Sequence, residues 1–261
     1  MLLQELTWPE VKKLAVDKMI VILPTGSFEQ HGPHMPFTVD TDLVTGVARG
    51  VEAKLKDKVL LLPTLSPGMS THHNAFPGTL DIPQPVYMQL IKAMAHSIAR
   101  FGGKKVFFLN GHGGNDIPIR AAMREIKSEL PDMRVVFASY WQLAAKAIKD
   151  VRESELGGLN HACEMETSMM LHLHPERVKM NLAKRDGPTH QDVYRKSDMQ
   201  LGRPVYFVNE FDEVTATGTI GHPDLATAEK GKRFLEGIVG QVVEFVEHYL
   251  TWEPERSKVK N

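Results

Sequence analysis

The strongest constraint on what this chain can fold into is the alternation of segment types along residues 1–140. Short apolar, β-rich runs at 19–25, 59–64, 104–109 and 134–140 are separated by stretches with helical spacing near 42–56, 85–101 and 116–130. Strands alternating with helices build βαβ units, so this pattern predicts a mostly parallel sheet covered on both faces. A first helix is expected from Thr7, which would cap it with Glu10 completing a capping box, to about Asp17.

After Tyr140 the pattern loosens. A helix is expected near 142–151, a glycine turn at Gly157–Gly158, and a helix from about Cys163 that Pro175 ends. Residues 176–222 have weak periodicity and read as irregular loop with one short strand at 205–208, before a long amphipathic helix over about 225–250. No repeat, linker composition or low-complexity tract interrupts residues 1–261, which predicts a single domain. Lys and Arg total 31 against 32 Asp and Glu, so the chain lacks the positive field of a general nucleic-acid binder. Its apolar runs are too short to cross a bilayer, and a single cysteine, Cys163, fits a reducing compartment; the expectation is a cytoplasmic protein.

Polar residues gather where the strands should end. The loop after the first strand contains Glu29, His31 and Asp40, an imidazole and two carboxylates of the kind that Zn²⁺ or Mn²⁺ accepts. The third strand runs into Asn110-Gly111-His112-Gly113-Gly114, and parallel strands put His112 on the same sheet edge. A third cluster holds His161, Cys163, Glu164 and Glu166; if helical, His161 and Glu164 share a face. The adjacent His72 and His73, beside Phe76-Pro77-Gly78, suit a substrate wall better than a metal shell, because neighbouring side chains diverge. Carboxylates near Cys163 would raise its thiol pKa, which disfavours a cysteine nucleophile. No Walker A motif, nucleophile elbow or dinucleotide fingerprint is present.

These residues resemble the creatininase family of metal-dependent hydrolases. The resemblance rests on Glu29-Gln30-His31-Gly32-Pro33-His34 through Asp40-Thr41, His73 to Thr79, Asn110-Gly111-His112, Glu166-Thr167-Ser168 and Leu225 to Gly231, in family order over nearly the whole chain. It implies a three-layer αβα sandwich, two divalent ions (Zn and Mn, with Fe a further candidate) and a homo-oligomer, often a hexamer. By position Glu29 and His112 would hold one ion, His31 the other, and Asp40 would bridge both. Creatinine-hydrolysing members carry a further ligand Glu where this chain has Gly114, and the resemblance carries that role to Glu164, with Glu166 in reserve. The same members have Glu and Trp where Asn160 and Gly157 stand here, which points away from creatinine itself.

The resemblance implies hydrolysis of a C–N amide bond, of cyclic amide or formamide type, in a small molecule by a hydroxide held between the ions. His161 would shuttle the proton with Glu166 as acid–base partner, and His73, Phe76 and Trp141 would contact the substrate. The alternatives are a non-catalytic small-molecule binder on the same fold and hydrolysis of a cyclic ketone.

Overall fold

The structure is a computed structural model that describes residues 1–188, 194–195, 198–201 and 205–253. Its centre is a parallel sheet of β1 (Ile20–Thr25), β2 (Val59–Leu61), β3 (Lys105–Asn110) and β4 (Arg134–Ser139), in the order β2-β1-β3-β4. Alternate strand residues enter opposite cores, as the two-residue repeat of a strand requires. Ile20, Ile22, Val59, Leu61, Phe107 and Leu109 pack into one, and Val21, Leu23, Leu60, Val106 and Phe108 into the other.

Helices cover both faces, giving the expected three-layer αβα sandwich. On the second core lie α3 (Gln84–Arg100) and α4 (Asp116–Glu129), whose buried Tyr87, Ile91, Ala95 and Ile98, and Ile119, Ala122 and Ile126, follow helical spacing. The first core is closed by α2 (Val39–Lys54), α7 (Glu164–Leu173) and α8 (Ala228–Thr251), through Leu43, Val47, Met165, Met169, Phe234 and Val242 among others. Among the described residues, no helix is long and apolar enough to cross a membrane.

Several boundaries differ from the sequence reading. Glu10 accepts from the backbone nitrogen of Thr7, as the capping box requires, and also from its hydroxyl, but α1 (Trp8–Lys13) stops well before Asp17 and a 3₁₀ turn, Val16–Lys18, follows. The helix expected over 142–151 is two short ones, α5 (Tyr140–Leu143) and α6 (Ala145–Lys149), broken at buried Ala144. No strand forms at 205–208, where Val205, Tyr206 and Val208 are exposed and have no strand alongside. Instead β5 (Leu159–His161) and β6 (Ile220–Gly221) pair antiparallel outside the main sheet, too short to leave a periodicity in the sequence. The last helix begins at Ala228 rather than near 225, because the Thr227 hydroxyl caps it by accepting from Lys230 N at 3.1 Å.

The carboxyl ends of three strands are tied by one amide. Asn110 Oδ1 accepts from Thr25 Oγ1 at 3.0 Å, and its Nδ2 donates to Ser139 Oγ at 3.0 Å and to the His112 carbonyl at 2.6 Å. Asn115 braces the next loops, donating to the Gly26 carbonyl at 2.9 Å and accepting from Met69 N at 3.0 Å. The edge from which the polar loops leave is therefore held by buried hydrogen bonds, in which each donor finds an acceptor.

Candidate metal centre

Six segments deliver side chains to this edge. Glu29 and His31 come from the loop after β1, Asp40 from the first turn of α2, His72 and His73 from a 3₁₀ turn, His112 from the end of β3, His161 from the end of β5 and Glu166 from the first turn of α7. The chain turns sharply between β5 and α7 at Ala162, which adopts φ 52°, a conformation that costs a non-glycine residue about 1–2 kcal/mol. His161 thus belongs to a strand and not to the helix, so the shared helical face expected for His161 and Glu164 does not form.

Glu29, His31, Asp40, His112, His73 and Glu166 are almost fully buried. The Asp40 carboxylate faces two ways, with Oδ2 lying 3.0 Å from His112 Nδ1 and Oδ1 3.1 Å from His31 Nε2. Glu29 Oε2 lies 3.1 Å from the same His112 Nδ1. Ser27 and Ser70 hydroxyls donate to Asp40 and Glu29, each at 2.7 Å, and hold the carboxylates in place.

Three of the histidines are oriented from behind. His112 Nε2 lies 2.9 Å from the Met69 carbonyl, His31 Nδ1 3.2 Å from the Glu29 carbonyl and His161 Nε2 2.7 Å from the Gln30 carbonyl. A ring N–H donated to these carbonyls leaves the opposite nitrogen facing the carboxylates, the arrangement by which proteins fix the tautomer of a metal-binding imidazole.

Burial shapes the acid–base balance. It opposes charge on Glu29, but His112 and His73 outweigh it and hold that carboxyl well below the usual range. It likewise opposes charge on His31, yet Asp40, with Glu166 and Glu29, raises the imidazole to about 9. Glu166 is pushed up to about 7 by burial and by Asp40, against the pull of His31. Burial, then His31 and His73, push His161 well below the ordinary histidine value, so it is neutral. The Cys163 thiol is driven up by burial and by Glu166, in line with the reading that it is not a nucleophile.

Such a set fits a divalent metal. Three groups, Glu29–His31–His161, Glu29–His72–His112 and His31–Asp40–Glu166, each bring three ligand atoms within 4.8 Å of one another. Among the described residues no Lys or Arg pairs with Glu29, Asp40 or Glu166; the basic groups that face them are imidazoles. Mixed imidazole and carboxylate donors are what Zn²⁺ and Mn²⁺ accept.

Some expectations need correction. Glu164 is not in the cluster: its Oε1 receives Lys230 Nζ at 2.8 Å, and its carboxylate accepts from the backbone nitrogens of Glu153 and Ser154 at 3.0 and 2.9 Å. Glu166, two residues on, is the carboxylate that meets His31 and Asp40. His73 has no ring nitrogen left for a substrate, since Nε2 faces Glu29 Oε1 at 3.1 Å and Nδ1 faces the Gln30 amide at 2.9 Å. Phe76 and Trp141 make no described ring contact with the histidines; Trp141 packs edge-on against Tyr140 in the first core. The aromatic that does cover them is Phe211, with ring centres 3.9 Å from His73, 4.8 Å from His161 and 5.5 Å from His72. Its loop is pinned by Asp186, which accepts from Thr215, Ala216 and Thr217, and at Gly218, whose carbonyl accepts from Gln30 Nε2.

Known proteins resemble the chain over nearly its whole length. The chain is 30% identical over 244 residues to the mycofactocin precursor peptide peptidase of Mycobacterium ulcerans, covering 91% of this chain and 84% of that protein. It is 28% identical over 261 residues to the creatinine amidohydrolase of Pseudomonas putida, covering 93% and 94%. A solved manganese form of creatininase shares 28% identity and a TM-score of 0.82, covering 96% of this chain and 99% of that one. A Zn–Zn form of a creatininase variant gives the same identity and score, covering 96% and 98%. The family profile described as creatinine amidohydrolase matches residues 4–246, and with it the chain belongs to the creatininase family of hydrolases.

Proposed function

We propose that this protein is a dinuclear metal-dependent amidohydrolase that cleaves a C–N amide bond in a small molecule. The observation that carries the reading is Asp40, buried and presenting one carboxylate oxygen to His112 and the other to His31. One ion is assigned to Glu29, His112 and Asp40, and a second to His31, Asp40 and Glu166. Two divalent ions supply a water acidified to near neutrality as nucleophile and a Lewis acid for the carbonyl.

The chain's own residues do the rest. His161 is neutral, with Nε2 on the Gln30 carbonyl and Nδ1 3.8 Å from Glu29 Oε1, so Nδ1 is the atom that accepts a proton and returns it to the leaving nitrogen. His73 fixes Glu29, and Phe211 shields the imidazole faces from water. Both relatives named above act, by their names, on amide bonds, of a peptide and of creatinine, which supports an amide, whereas a Thermotoga maritima relative, 28% identical over 261 residues, is named as a 3-dehydro-scyllo-inosose hydrolase and keeps the cyclic ketone as the second reading.

The test is metal content followed by turnover of a panel of lactams, formamides and short peptides. Two ions per chain, and amide hydrolysis that a chelator abolishes and Zn²⁺ or Mn²⁺ restores, are expected. Hydrolysis of cyclic ketones alone, or tight binding of panel members without turnover, contradicts the proposal.

A further inference from the structure

We propose that His72 is itself a metal ligand at the Glu29–His112 position, its ring admitted beside His112 because residue 114 has no side chain. This rests on the metal-hydrolase reading above and adds to it a residue that the sequence suggests only as part of a substrate wall. A ligand nitrogen of His72, one of His112 and a Glu29 oxygen lie within 4.8 Å of one another. A Cβ on Gly114 would stand 2.5 Å from His112 Nε2 and 2.9 Å from His72 Cε1, and would collide with the Met69 carbonyl. No side chain fits there while the His72 ring lies alongside.

Among the described residues His72 also differs from its neighbours in having no hydrogen-bond partner for its ring nitrogens. His31, His73, His112 and His161 each hold hydrogen-bond partners through their rings. The described contacts of His72 are ring contacts only: it stacks on His112 at 5.6 Å and 10°, and tilts against His73 at 4.4 Å and Phe211 at 5.5 Å. A half-buried imidazole aligned by three rings, with its nitrogens otherwise unused, is a donor already oriented.

The consequence is selectivity. Glu29, Asp40, His112 and His72 offer two oxygens and two nitrogens, donor types that zinc accepts, and a fifth position would stay open for water. The His31–Asp40–Glu166 position, with the same two carboxylates but one imidazole fewer, suits Mn²⁺ better, since oxygen donors suit that ion. The ion beside His72 is therefore expected to be the one that prefers Zn²⁺.

Titration of metal-free full-length protein with Zn²⁺ and, separately, Mn²⁺, followed by calorimetry and by mass-spectrometric metal counts, tests this in wild type, His72→Ala and His72→Gln. Loss of even an outer-shell partner weakens a metal by about 10–100-fold, so losing a direct ligand is expected to weaken one of the two zinc ions by about 100-fold or more. The other ion should bind as in wild type. His72→Asp should recover binding and narrow the preference for Zn²⁺ over Mn²⁺, while His72→Gln, which keeps side-chain bulk, separates ligand loss from misfolding. If wild type loads two ions and His72→Ala and His72→Gln bind both as tightly, the assignment of His72 is overturned and the hydrolase reading stands. If wild type takes up neither ion, both fall.

Discussion

Two buried charge clusters draw a carboxylate from the same helical turn and solve opposite problems. At one, Glu164 meets Lys230 Nζ at 2.8 Å and two backbone N–H groups, and Glu153 adds a second carboxylate at 3.1 Å from the same ammonium. At the other, Glu166 joins Glu29 and Asp40 with no lysine or arginine partner among the described residues. The first carries its cation in the chain, tying α7 to α8, and its carboxyl is held below the ordinary value despite burial. The second crowds negative charge in a buried site, where burial and Asp40 raise Glu166 to about 7 against the pull of His31. A buried carboxylate with its own ammonium is structural; buried carboxylates converging without one are built for a cation from outside.

The comparison breaks most visibly at Asp40. Asp40→Ala removes the group shared by both sets of donors, and because bound metal supplies several kcal/mol of transition-state stabilisation, kcat/KM for an amide should fall by about 10³-fold or more, with both ions lost. Retention of two ions and activity would count against the shared-carboxylate assignment. Lys230→Met attacks the other cluster. It leaves Glu164 buried without its cation and should cost about 3–5 kcal/mol in urea unfolding, with metal stoichiometry unchanged. Adding Glu164→Gln should return part of that loss.

Acid sharpens the contrast. The Glu164 pKa is lower in the folded protein than its ordinary 4.5, so its clasp contributes fully above that value and is lost as pH falls through the folded pKa. The destabilisation by Lys230→Met, read as the shift in urea midpoint, should therefore hold from pH 7 to about 4.5 and shrink below it. A penalty independent of pH would mean that the Glu164 charge is not what Lys230 holds. The smallest effect is expected at Phe211, whose ring packing is worth about 0.5–1.5 kcal/mol. Phe211→Ala should change KM by about two- to tenfold and leave metal content alone; a variant that loses metal would show that the ring is part of the donor scaffold.

Much of this was legible in the sequence, for a physical reason. Strands buried on both faces and helices with one apolar face advertise themselves through spacing, and strand-end loops such as 26–40 and 110–114 inherit their common edge from parallel topology. The choice between Glu164 and Glu166 was not legible. Two residues apart on a helix the side chains point to nearly opposite sides, and the partner that decides between them, Lys230, is 66 residues away from Glu164. Phe211 and the β5–β6 pair were hidden because their segments are short and lack periodicity, being held by Asp186 and Gln30 rather than by a repeating apolar face. The placement of His72 and His73 was legible only in part: neighbouring side chains are expected to diverge, but a 3₁₀ turn brings both rings onto one cluster.

The most direct test of the central claim is a metal count, by mass spectrometry, on purified wild type, Glu164→Gln and Glu166→Gln after incubation with Zn²⁺ and Mn²⁺. Two ions in wild type, two in Glu164→Gln and fewer than two in Glu166→Gln are predicted. Two ions in Glu166→Gln with loss in Glu164→Gln, or no uptake by wild type, would contradict the account.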